Sequence, residues 1–370
     1  MRTALILLTV MSSIAAAQDV QVGARAKGMG GSYTAFGDDA TAIWYNPAGL
    51  ATQQSKAAIA YQSYVTYEFA NGTNQLPGDP QATLQDPAFI PSFAGVVLAL
   101  GEEKMSHAFS LAYINPLNIH LTWNNGAPIQ TRQQISRFRF AYGIDLKIND
   151  KGTGLFPHVA VGGAIDWGST TFEQGAVHEE ESDFGYGGGV LLTLYDDGKG
   201  FSIDFGASGN AALDFDFNLS RTVFPVWDWP AMYSFGVAIY YNQLKITADV
   251  QIVLWEDAMG GSTVVAESFE NTVNFGAGAE YAFAASEKIT ILIRAGFRVY
   301  DAPWPDEDPG DSAIGNNLLS IDANEEIYTL FAIGFGVYWT TKEGLKRGFD
   351  MAIEFGGDKI TAGISYFHDF

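Results

Sequence analysis

The sequence predicts an all-β fold, a transmembrane antiparallel β-barrel of about fourteen strands with an N-terminal hatch plugging its lumen, on three observations. Beyond residue 17 no apolar run approaches the ~20 residues that a membrane helix requires. From Ser55 onward, segment after segment alternates apolar and polar side chains over the ~9–11 residues of a tilted membrane strand. The connections alternate short with long, as they do when hairpin turns lie on one side of a membrane and loops on the other. Lipid tolerates no unpaired backbone, so strands can span it only as a closed sheet.

The chain begins MRTALILLTVMSSIAAAQDV, with Arg2 as a charged start, an apolar run from Ala4 to Ile14 and small residues Ala15 to Ala17. This pattern predicts a signal peptide over residues 1–17. The hatch is assigned to residues 18–54 and the barrel to 55–370. The 370 residues contain no cysteine, which excludes disulfides, thiolate chemistry and a lipid anchor on Cys. The formal charge of −22 excludes nucleic acid as a partner, because a phosphate backbone requires a basic surface.

The hatch stretch Gly23 to Ala51 is not strand-like. Gly28, Gly30, Gly31 and Gly37 loosen its backbone, Asp38 and Asp39 can cap a helical turn through Ile43, and Asn46-Pro47 ends that turn.

In the barrel, Leu244–Leu254 sets Leu244, Ile246, Ala248, Val250, Ile252 and Leu254 on one face against Lys245, Thr247, Asp249 and Gln251 on the other. The same alternation turns Phe138, Phe140, Tyr142, Ile144 and Leu146 outward and Arg137, Arg139, Asp145 and Lys147 inward. It also turns Ile289, Ile291, Ile293, Phe297 and Val299 outward against Arg294 and Arg298, and sets Asp350 and Glu354 inside. Short connections are expected at Gly101–Lys104, Asp196–Gly200, Asn242-Gln243 and Ala284–Glu287; long ones at Asn71–Ile90, Leu117–Ile129 and Ala302–Asn324. Gly356–Lys359, a short loop on the long side, is the exception. Trp227, Trp229, Trp255 and Trp304 fall near strand ends, where interfacial aromatic belts lie.

Asn46-Pro47-Ala48 resembles the Asn-Pro-Ala motif in the hatch of FadL-type outer-membrane transporters of fatty acids and other hydrophobic compounds. Gly23-Ala-Arg-Ala-Lys-Gly-Met-Gly-Gly is similar to the opening of the related PorV-like barrels as well. Phe224-Pro225, Ser234-Phe-Gly-Val-Ala and Ile246-Thr-Ala-Asp-Val-Gln with Trp255 resemble the FadL family's eighth and ninth strands. Ile293-Arg-Ala-Gly-Phe with Tyr300-Asp301 resembles its eleventh. Phe370, closing the alternating segment Ile360–Phe370, resembles the signal read by the outer-membrane barrel assembly machinery.

The resemblance implies a barrel among the lipids of a Gram-negative-type outer membrane. Its implied role is passive uptake of a hydrophobic small molecule, a fatty acid or an aromatic, gated by hatch rearrangement. The PorV-like branch implies instead a docking or shuttle partner of a secretion system.

On this reading Asn46, Pro47, Ala48, Asp38 and Asp39 are the hatch and gating residues. Arg25, Lys27, Asp38 and Asp39 can pair with Arg137, Arg139 and Asp145, either to hold the plug or to compete with ligand. Arg139, Arg294 and Arg298 are candidates for the carboxylate of an acid-tailed ligand, because a guanidinium fork binds two oxygens; the alternative is neutralising Asp145, Asp249 and Glu354. Phe93 and Val97, with Ala99, give an apolar inner path. Asn115-Pro116 either line a lateral opening, as FadL-type proteins are thought to have at a kink in the third strand, or end the strand at the outer rim.

Glycines in Gly185–Gly189, within a strand, would make room for a plug or a neighbouring strand, while Glu179–Glu181 and Asp306, Glu307, Asp308 and Asp311 read as solvated acidic loops. His107, His120, His158, His178 and His368 stand in no catalytic arrangement with Ser or Asp, so no enzyme, cofactor or metal site is expected.

Overall fold

The computed structural model describes residues 21–53, 60–70, 73–75, 82–85, 90–101, 104–125, 127–149, 152–174, 177–216, 226–256, 258–260, 270–301, 327–342, 344–356 and 359–369. The expected signal peptide, Phe224-Pro225, Trp304, the acidic stretch at Asp306 to Asp311 and Phe370 lie outside these residues.

The hatch holds two short helices, α1 (Ala24–Gly28) and α2 (Ala42–Tyr45), and a 3-10 segment, Pro47–Gln53. The strands are β1 (Ala60–Ala70), β2 (Thr73–Gln75), β3 (Ala82–Gln85), β4 (Ile90–Gly101), β5 (Met105–Asn125), β6 (Ala127–Lys147), β7 (Gly154–Gln174), β8 (Val177–Asp196) and β9 (Phe201–Asn210). They continue as β10 (Val226–Trp227), β11 (Ala231–Tyr241), β12 (Leu244–Leu254), β13 (Met259–Gly260), β14 (Thr272–Ser286), β15 (Ile289–Asp301), β16 (Ile327–Thr340), β17 (Lys346–Gly356) and β18 (Lys359–Asp369).

The main sheet is antiparallel and mostly a meander, because two-faced alternation lets each strand pair with the next through a hairpin. β1 pairs with β4 and β18; from β18 the order runs β17, β16, β15, β14, β12, β11, β9, β8, β7 and β6, and β6 pairs in turn with β5.

The plain closed barrel of about fourteen strands expected from the sequence is corrected by this pairing. The sheet has sixteen strands and branches at β5, which also carries β3; β2, paired to β3, ends the sheet as an open edge among the described residues. Among the described residues the wall is also interrupted. β4 pairs with β5 only as far as Phe93 opposite Ile114, and β3 takes up pairing again at Leu121 to Trp123. At the break β5 carries a bulge between Ile114 and Leu117 against β6. Pro116 has no N–H to give the ladder, which is a physical reason for a bulge at this point. β10 and β13 form a separate two-stranded sheet.

Further expectations about the loops are corrected. Leu117–Ile129 is not a loop but the outer part of β5 and β6, which each run for 21 residues. Glu179–Glu181 lie within β8, and Asn71–Ile90 contains β2 and β3.

The distribution of side chains is the inverse of a soluble protein's. Phe138 (46% exposed), Ile165 (63%), Phe184 (78%) and Ile293 (55%) face outward, while Arg137, Arg139, Arg294, Asp249, Asp350 and Glu354 are buried inside. Water would penalise such an apolar belt, whereas lipid solvates it. The cross-strand row Phe138, Trp167, Phe184 marks its upper limit on β6 to β8, because the next outward row is Ser136, Ser169, Ser182. Trp229 and Trp255 correct the aromatic-belt expectation: both are buried in the interior apolar cluster.

Candidate functional site

The hatch is irregular backbone inside a sheet, so its polar groups need partners that helices and ladders do not supply. Inward side chains of the wall provide them. Asp249 of β12 accepts the N–H groups of Tyr33 and Thr34, each at 2.7 Å. Ser365 of β18 accepts from the Ala24 N–H at 2.8 Å, and Ser208 of β9 donates to the Tyr45 carbonyl at 2.6 Å.

Close approach is made possible by bare inner surface. Gly143, Gly162 and Gly189 are cross-strand neighbours on β6, β7 and β8, and Gly278 and Gly296 are neighbours on β14 and β15. A methyl at Gly162 would overlap the backbone of Pro47 and Ala48; one at Gly189 would overlap the Asn46 amide, and one at Gly278 or Gly296 the backbone around Met29 and Gly30. Gly162→Val is therefore expected to weaken hatch seating by about 1–3 kcal/mol of overpacking, measured as faster proteolysis or hydrogen exchange of residues 24–51 with the strands still protected.

Asn46 ties the hatch both to itself and to the wall. Buried between α2 and the 3-10 segment, its Nδ2 donates to the carbonyls of Thr34 and Val190, both at 2.9 Å, and its Oδ1 accepts from the Ala48 N–H at 3.1 Å. Pro47 and Ala48 lie against Gly162. Asp39 does not cap α2; Thr41 occupies the N-cap position, and Asp39 accepts from the Thr41 N–H at 2.9 Å and the Tyr33 hydroxyl at 2.6 Å.

Charge fixes the other side of the hatch. Arg25, on α1, grips Glu280 with Nε and Nη2, both at 2.8 Å, and also pairs with Asp38. Lys245 reaches Asp38 at 3.0 Å and lies 4.7 Å from the centre of the Phe36 ring. Burial alone would raise the Asp38 carboxyl, but Arg25 and then Lys245 outweigh it and hold the group below its ordinary pKa. Lys27 donates to Thr361 at 3.4 Å. The partners of Arg25 and Asp38 are thus Glu280 and Lys245, rather than Arg137, Arg139 or Asp145.

The three predicted arginines are all inward, and each meets carboxylates of the wall. Arg139 lies directly across from Asp166 and pairs with it at 2.9 Å, while also donating to the Ile43 carbonyl at 3.1 Å. Arg294 lies across from Glu280 and contacts both it and Asp350 at 2.6 Å. Arg298 holds Glu354 through two nitrogens at 2.6 and 2.8 Å. Arg294 and Arg298 reach over β16 to β17; for Arg294 it is Gly334 and Gly336 that leave room. Asp350 is one of the carboxylates that the alternation sets inside; Asp166 and Glu280 are not named by the sequence reading, although each stands at an inward position of its alternating strand.

An apolar cluster fills the side of the interior next to β4 and β5. Phe93, Val97 and Ala99 face inward with Ala108, Ala112 and Ile114, and the cluster continues to Trp44, Phe215 and Trp229. Trp44 of the hatch meets Trp229 edge-on at 6.0 Å, and the Arg137 guanidinium sits 5.5 Å from the Trp44 ring. Asn115 and Pro116 are buried at the interruption between β4 and β5. The structure brings Phe93 to this interruption, opposite Ile114, and keeps Arg294 and Arg298 in the separate charge network.

No protein-family model matches the sequence, and no curated protein matches it. Solved structures do match in three dimensions. A Pseudomonas aeruginosa FadL homologue is 13% identical over 95% of this chain and 98% of its own, with a TM-score of 0.59. The Ralstonia pickettii toluene transporter TbuX is 14% identical over 94% of this chain and 98% of its own, with a TM-score of 0.60. The P. putida toluene transporter TodX is 11% identical over the same shares, 94% and 98%, with a TM-score of 0.57. The hatch-filled, lipid-facing sheet of this chain therefore has the fold of the FadL homologue and of the two toluene transporters.

Proposed function

We propose that the protein is an outer-membrane channel for passive uptake of hydrophobic compounds, long-chain fatty acids or similar molecules, in a Gram-negative-type bacterium. The hatch gates it, and substrate leaves sideways between β4 and β5. The observation that carries this reading is the interruption of the wall at Ile114, beside the apolar inner stripe of Phe93, Val97 and Ala112. A hydrophobe following that stripe meets a stretch of β5 that, among the described residues, pairs with neither β4 nor β3, and lipid beyond it. The outward apolar belt and the fold shared with transporters of toluene support the same reading.

Asn46 is the gate's pivot, because moving the hatch exposes the Val190 carbonyl and breaks the turn at Ala48 together. Uptake of labelled long-chain fatty acid and of toluene into liposomes containing the folded protein tests the proposal. Asn46→Ala removes three buried hydrogen bonds, a loss of about 1–3 kcal/mol, and is expected to raise uptake severalfold by loosening the hatch. Uptake equal to that of empty liposomes for both compounds would sink the transport reading, and proteins co-purifying with the channel would then point to a secretion role.

A further inference from the structure

A cavity of about 340 Å³ lies on the short-turn side of the hatch, apart from the wall interruption. One wall is apolar: Val97 and Ala99 of β4, Leu292 of β15 and Phe367 of β18, all buried. The opposite wall is the charged floor of the hatch, where Arg25, Asp38, Lys245 and Glu280 are tied to one another. Lys346 and Asp369 stand together at the rim, the Lys346 N–H donating to the Asp369 carboxylate at 3.2 Å.

We propose that this cavity is a second binding site, for a small uncharged hydrophobe such as a monoaromatic hydrocarbon, on the exit side of the hatch. The inference rests on the transport reading and adds an axial route to the sideways one. Two features lead to it. The inner stripe of β4 runs from Phe93, at the wall interruption, through Val97 to Ala99, so one continuous apolar surface connects the interruption with the cavity. The chemistry of the walls selects the ligand. Arg25 and Lys245 are held by Asp38 and Glu280, so an ionic head entering here would have to break a buried pair, whereas an uncharged ring needs only the apolar wall. An apolar cavity of about 150 Å³ takes up benzene, so this volume accommodates one substituted ring with room to turn.

Crystals of the full chain soaked with 4-bromotoluene, read by anomalous bromine scattering, test the site. Uptake of labelled toluene into liposomes by the native protein, Ala99→Trp and Val97→Phe tests its use. Bromine is expected among Val97, Leu292 and Phe367, and either bulky variant that retains heat-modifiable migration as a folded protein should lose toluene uptake by about tenfold or more. Bromine found only at the wall interruption, with uptake unchanged in a folded variant, would overturn the proposal and leave the transport reading intact. Bromine in the cavity of a protein that transports nothing would keep the site and discard the transport reading. Bromine nowhere, with no uptake by the native protein, would end both.

Discussion

Arg25→Met should unlock the hatch. Arg25 is the hatch side chain that joins Asp38 to the wall carboxylate Glu280, and the variant leaves a buried carboxylate with one cation fewer. Breaking a buried pair costs about 3–5 kcal/mol, and the effect here belongs at the lower end because Arg294 still holds Glu280 and Lys245 still holds Asp38. A single-channel recording in a planar bilayer should show ion-conducting bursts in the variant and a quiet native protein, with residues 24–51 becoming protease-sensitive.

The same latch sets a pH dependence. Asp38 has its folded pKa depressed by Arg25 and Lys245 against the opposing effect of burial. A group of this kind contributes stability that is complete above its unfolded pKa and is lost as pH falls through the folded one. Hatch seating should therefore hold at neutral pH and fail only below the ordinary carboxylate range. A leak that grows from neutral toward alkaline pH instead would remove Asp38 from the latch.

Deleting Pro116 should close the wall. Ile114 pairs with Arg137 and Leu117 with Ile135, so two residues of β5 stand opposite one of β6. Removing one of the two restores an unbroken register without turning the rest of the strand over, because the bulge is a single extra residue. The restored strand can then extend its pairing with β4 past Phe93. Uptake of long-chain fatty acid is expected to fall by about tenfold or more, equivalent to 1.4 kcal/mol or more, and that of toluene by less, with stability unchanged or slightly raised. Pro116→Ala is the milder companion: it returns an N–H to the strand but leaves the extra residue, so a smaller loss is expected. Native uptake by the folded deletion variant would show that substrate does not leave between β4 and β5.

Pro116 and Asn46 are features that the sequence revealed to different degrees. Pro116 stood out because a proline inside an alternating segment must disturb a ladder; that β5 continues beyond it for nine more residues, to Asn125, was not visible. Read from sequence, Leu117–Ile129 was a loop, and the hairpin it forms is held by pairing with β6, a partner the segment itself does not name. Asn46 was legible as a turn-fixing residue before proline. Its second bond, to the Val190 carbonyl, joins positions 144 apart in the chain and exists only once the hatch is seated.

The glycines follow the same division. A run such as Gly185–Gly189 signals that something approaches a strand closely. Only register shows that Gly143, Gly162 and Gly189 fall side by side, making a groove in which the Pro47 backbone rests.

By itself the sequence determined which way side chains face: a period of two sorts Phe138 from Arg139 and Ile293 from Arg294 with no knowledge of any neighbour. It also determined that the segment around Asn46 would be irregular and that beyond residue 17 no apolar run is long enough to cross a membrane as a helix. The tertiary structure decided who meets whom. Arg139 meets Asp166 and Arg294 meets Glu280 because they lie opposite each other in register, and Arg298 meets Glu354 across an intervening strand. It also decided that the sheet branches at β5 and, among the described residues, is interrupted at Ile114. Facing is a local property of one strand's pleat, whereas register and interruption depend on hydrogen bonds between strands far apart in sequence, which a linear pattern does not encode.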